Sequence, residues 1–98
     1  MTEEMKSRLP PLYSFESTAP EHTPVFCKFF TPDSSWTWYV TEGEEQEDGG
    51  WLLFGLIDEH GKELGYFSLN ELQSIKGPCG LEIERDMHFN SKMLAEVL

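Results

Sequence analysis

The sequence is short of cysteine, histidine and cations: 98 residues hold 2 Cys, 3 His and 7 Lys plus Arg, and the longest apolar run, Trp51 to Ile57, is seven residues. Each shortage excludes something. A membrane-spanning helix needs about 20 apolar residues, so none is expected. Seven cations against 18 acids leave a formal net charge of -11. That field repels phosphate backbones and anionic lipid heads, which argues against direct nucleic-acid binding and against a membrane surface as partner. The first residues, Thr2-Glu3-Glu4-Met5-Lys6-Ser7-Arg8, are acidic and lack an apolar signal core. A cytoplasmic location, with Cys27 and Cys79 as reduced thiols, is the expectation. His22, His60 and His88 lie far apart and Cys27 falls inside a strand pattern, so no metal-ligand spacing is present. Gly-x-Ser-x-Gly, His-Glu-x-x-His, Cys-x-x-Cys and phosphate-cradling Gly-rich signatures are also missing. No catalytic residue, metal or cofactor is therefore assigned.

What is present is material for a core. Apolar residues make up 39% and aromatics 13%, too many for a disordered chain, and the length suits one domain over residues 1–98. Thr2, Glu3 and Glu4 suit the start of a short helix that Pro10-Pro11 stops, with Met5 and Leu9 on its buried side. Val25 to Phe30 and Trp36 to Thr41 read as strands joined by a Pro-Asp turn in which Asp33 closes an Asx-type bond. On the second strand Trp36, Trp38 and Val40 share one face; Thr37, Tyr39 and Thr41 share the other. Glu42 to Gly50 reads as a solvated acidic loop holding five of the 18 acids. Trp51 to Ile57 has no polar alternation and is expected as a central strand covered on both faces. Asp58 to Gly61 is a turn, and Lys62 to Phe67 returns as a strand. Ser68-Leu69-Asn70-Glu71 matches a capping box opening a helix over 69–75, Leu81 to Arg85 alternates as a last strand, and Ser91 caps a final turn. The fold class is α+β: a small, mainly antiparallel sheet of four to five strands with short helices.

Two groups stand out as candidate sites. Trp36 and Trp38 are expected in the core, which leaves Tyr39, on the opposite face, as the aromatic available for recognition. With Glu42, Glu44, Glu45, Glu47 and Asp48 it forms a candidate interaction set. Lys28 is expected to lay its stem on Phe26 and Phe30 or to pair with an acid. Glu84, Arg85, Asp86 and His88 form the one polar cluster where acid, base and cation crowd together, and would centre a small ligand-binding domain or a hydrolase-like enzyme.

Four ordered blocks carry a resemblance: Leu9-Pro10-Pro11-Leu12-Tyr13, Lys28 to Tyr39 (KFFTPDSSWTWY), Glu63 to Leu72 (ELGYFSLNEL) and Gly77 to Asp86 (GPCGLEIERD). Together they resemble a bacterial domain-of-unknown-function family of small single-domain proteins found largely on plasmids, conjugative elements and phages, often beside anti-restriction genes. The resemblance runs from Leu9 to about Phe89 and implies no activity. Joined to the charge, it implies a non-enzymatic accessory protein of a mobile genetic element that binds an as yet unidentified protein partner through an acidic surface. An anti-defence or nucleic-acid-mimic role is one form of that reading.

Overall fold

The computed structural model describes residues 3–32, 34–76, 79–87, 89–90 and 92–98. Thr2, Asp33, His88 and Ser91, for which the sequence carries expectations, lie outside the described residues. Helix α1 spans Glu3–Arg8, with acids in its first turn and Lys6 and Arg8 in its last, which suits the helix dipole. Among the described residues seven strands follow: β1 Pro24–Val25, β2 Cys27–Phe30, β3 Thr37–Glu45, β4 Trp51–Asp58, β5 Lys62–Ser68, β6 Glu84–Arg85 and β7 Lys92–Met93, with helix α2, Leu69–Ser74, between β5 and β6. The main sheet is antiparallel in the order β5-β4-β3-β2-β6, and β1 pairs with β7 separately. The radius of gyration is 12.9 Å, close to the about 13 Å of a compact 100-residue chain.

The sheet separates two packing layers. Its inner face gathers Cys27, Phe29, Trp38, Val40, Leu53 and Phe67, closed over by Leu9 from the end of α1 and by Leu69 and Leu72 of α2. On the outer face Leu56 meets Val25 and Leu94, flanked by Tyr39, Phe89 and Val97. Strand β4, apolar on both sides, is thereby covered on both, which is why its sequence does not alternate. At its middle Gly55 faces Val40, and a Cβ there would overlap the Tyr39 carbonyl oxygen; the close approach of β3 to β4 requires glycine. Ser68 caps α2, its hydroxyl accepting from the Glu71 amide at 3.0 Å.

Several boundaries differ from the sequence reading: the run Val25 to Phe30 is divided between β1 and β2 at Phe26, and β4 and β5 each run one residue further, to Asp58 and Ser68. Helix α2 ends at Ser74, one residue early, because Ile75 is already extended. The last strand of the sheet is only Glu84–Arg85, rather than Leu81 to Arg85, since Glu82 forms an isolated bridge with Lys76 instead. Strand β3 starts one residue after Trp36, whose carbonyl is taken up by the Thr31 amide at 3.0 Å in the preceding turn.

The largest difference is the end of β3. It runs to Glu45 instead of stopping at Thr41, so the acidic loop is only the tight turn after it, closed by Gln46 N to Gly50 O at 2.7 Å. The pairing of Glu44 with Leu52 and Glu45 with Trp51 carries acids of low strand propensity along with an apolar partner strand. The register shifts between Val40 and Glu42. Thr41 is the extra residue there, buried, with its hydroxyl donating to Phe54 O at 3.1 Å. Such a bulge reverses the alternation beyond it, so Glu42 leaves the face of Trp38 and Val40 and comes to lie on the outer face beside Phe54.

Candidate functional site

Glu42, read as a solvated loop acid, is 3% exposed. The segment after Pro10-Pro11 folds over it in successive turns. The two prolines deny that segment a helix, and Tyr13 adopts a left-handed φ of 69°. A turn of this kind aims consecutive amides to one side and makes a concavity for an anion. Here the anion is the chain's own: Ser14 N donates to Glu42 Oε2 at 2.9 Å, and the Tyr13 and Phe15 amides donate to the same carboxylate. Burial raises the Glu42 pKa above the ordinary glutamate range; the three amides oppose that shift and the charge of Glu16 adds to it.

The same turn sets Tyr13 against the sheet. Phe54 and Tyr66 pair across β4 and β5 and pack edge to face with centroids 4.9 Å apart. Tyr13 meets Tyr66 at 6.3 Å. A side-chain hydrogen bond to Tyr13, more than burial or the nearby charges, raises the Tyr66 pKa. Tyr13, Phe54 and Tyr66 thus wall a recess of about 90 Å³ with Glu42 and Glu16 as its acidic lining. Tyr13 is 63% exposed, and Tyr66 and Leu64 are each 48% exposed. An exposed aromatic cluster beside the outer edge strand is the composition of a recognition surface.

The sequence candidates fall elsewhere. Tyr39 is half-buried, not exposed: the C-terminal segment lays Phe89 against it at 6.4 Å, and the Lys28 ammonium stands 5.8 Å from its ring centroid. Glu44 and Glu45 are exposed but, as consecutive strand residues, point to opposite faces. Glu47 and Asp48 sit in the turn, where Asp48 Oδ1 accepts from Gly50 N at 2.9 Å. Glu84 pairs with Phe30 and Arg85 with Phe29, so these two also diverge. Arg85 turns to the inner side and donates to Met5 Sδ and Met87 Sδ, whereas Asp86 pairs with Lys28 at 3.8 Å on the outer side. Of the polar cluster, then, Arg85 and Asp86 are separated by the sheet. Cys27 is buried and its thiol is pushed up to about 12, chiefly by burial, with the Arg85 charge opposing. Among the described residues no three His, Cys, Asp or Glu converge as for a metal, and no helix is long and apolar enough to cross a membrane.

Sequence reasoning passed over Tyr13 and Tyr66, although a signal for Tyr66 existed. With Phe67 facing the core, alternation along Lys62 to Phe67 sends Leu64 and Tyr66 to the other face.

A family model described as "Protein of unknown function (DUF2958)" matches residues 1–97. No curated protein and no solved structure matches the chain.

Proposed function

The chain belongs to the DUF2958 family of proteins of unknown function, and from that premise, which carries no activity with it, we propose a non-enzymatic protein-binding role. The protein acts as a cytoplasmic accessory factor of a mobile genetic element, the setting that the family resemblance implies, and engages a basic surface of a protein partner. The observation that carries this is the recess of Tyr13, Phe54 and Tyr66 lined by Glu42 and Glu16. Aromatic faces with carboxylates nearby attract a desolvated cation, so a lysine or arginine side chain of the partner is the natural occupant. The net charge of -11 speeds and orients the encounter, while the rings supply local affinity.

The partner class is a nucleic-acid-binding defence or replication factor, whose basic groove an acidic protein can occupy. Strict mimicry of a phosphate row is less favoured, because Glu44 and Glu45 diverge and Asp48 braces a turn.

Affinity capture from the host followed by mass spectrometry tests the proposal, with native protein and the Tyr13→Ala/Tyr66→Ala variant in parallel. The expected partner is basic, is recovered at low salt, and is lost both to the variant and at about 0.5 M salt, where screening reaches within a few ångströms. A partner retained through both changes would overturn the reading.

A further inference from the structure

The chain has only two arginines, Arg8 and Arg85, and the fold brings both to one cleft of about 340 Å³. Arg8 comes from the end of α1 and Arg85 from the edge strand β6, so neither local sequence nor a shared element explains the meeting. In a molecule this acidic, a concavity lined by two guanidiniums and no carboxylate stands apart from the rest of the surface. The cleft shares no lining residue with the aromatic recess.

Among the described residues neither guanidinium has a strong partner. Arg8 lies 6.0 Å over the Phe26 ring, and its ion partner Glu4 is 3.9 Å away with both side chains mostly exposed, a pair of little strength. The hydrogen bonds of Arg85 go to the thioether sulfurs of Met5 and Met87, which are weak acceptors. Among the described residues no oxygen accepts from its fork. A planar guanidinium favours a bidentate oxyanion, and charge-assisted bonds are about twice as strong as neutral ones. The rest of the wall is largely apolar, with Pro24, Val25 and Phe26 facing the same space.

We propose that this cleft binds a small organic oxyanion, a carboxylate or phosphomonoester head held by Arg8 and Arg85 with an apolar body against Phe26 and Pro24. The volume is at the small end of ligand sites, about 300–1,000 Å³. The inference goes beyond the protein-binding reading and stands without it.

Amide NMR titration of the full chain with benzoate, phenyl phosphate and inorganic phosphate tests it. Saturable shifts are expected at cleft amides such as those of Met5, Phe26 and Arg85. At least one of the two aromatic probes should bind more tightly than inorganic phosphate, and benzoate against phenyl phosphate identifies the preferred head. Arg8→Gln, at an exposed position that leaves the fold intact, should weaken binding about tenfold, as loss of one charge-assisted bond implies. Arg85→Lys should also weaken it, because the charge stays and the fork goes; Lys62→Gln, at the distant β4–β5 turn, should leave it unchanged. Absence of saturation with all three probes, or equal shifts in Arg8→Gln, would overturn the proposal.

Discussion

A carboxylate that loses its water needs replacement donors, and at Glu42 the chain supplies them from the amides of Tyr13, Ser14 and Phe15. Burial still outweighs them, so the folded pKa lies above the unfolded one. The folded state then holds more proton than the unfolded state in the window between the two values. Stability from this group is present below the unfolded value of about 4.3 and is lost as pH rises through the folded value. The native protein should therefore lose stability relative to Glu42→Gln as pH rises from about 4 toward 7, read as the difference in thermal midpoints. A difference that stays flat or runs the other way would place the carboxylate's balance with the amides instead. None of this is legible locally, because Glu42 opens an acidic run whose next members are solvated, and its partner Ser14 is 28 positions away. Tyr39 fails for the same reason: alternation gives its face, but Phe89 covers that face from the far end of the chain.

At the scale of elements, local pattern was informative wherever the local cause was sufficient. The unbroken apolar run at 51–57 forms β4, an interior strand between β5 and β3 although β3 is the central one, and Ser68 caps α2 as its sequence implies. Ser68→Ala should lower stability by about 1 kcal/mol, the ordinary worth of such a cap, seen as a lower urea midpoint at unchanged slope. The bulge at Thr41 was not legible, since Trp36 to Thr41 alternates without interruption and only pairing with β4 requires the extra residue. Its consequence reaches the recess: the reversal of faces past Val40 is what brings Glu42 under Tyr13 and Phe54. Gly55 holds the same pair of strands together. Gly55→Ala would force its methyl into the Tyr39 carbonyl, so β3 and β4 must separate or shift. A loss at or above about 3 kcal/mol, the upper range for overpacking, is expected, with the Tyr39–Phe89 contact perturbed as well.

At the scale of the whole molecule, the charge of -11 opposes compaction, since like charges repel more when the chain is folded. Among the described residues the ion pairs given by the structure are weak: Glu3–Lys6 and Glu4–Arg8 expose their carboxylates, and Lys28–Asp86 spans 3.8 Å at partial burial. Pairs of this kind contribute about 0–1 kcal/mol each, so salt should relieve more repulsion than attraction. Cys27 offers a direct readout of this balance. It is packed in the inner core with its thiol pushed up to about 12, so it alkylates only when the core opens, whereas the exposed Cys79 reacts with native protein. Raising NaCl from about 20 mM to 500 mM shortens the screening length from roughly 20 Å to about 4 Å. Labelling of Cys27 at fixed pH should slow across that range while labelling of Cys79 changes little. Faster Cys27 labelling at high salt would mean that attractive pairs, and not the surplus of acids, govern the electrostatics of this fold.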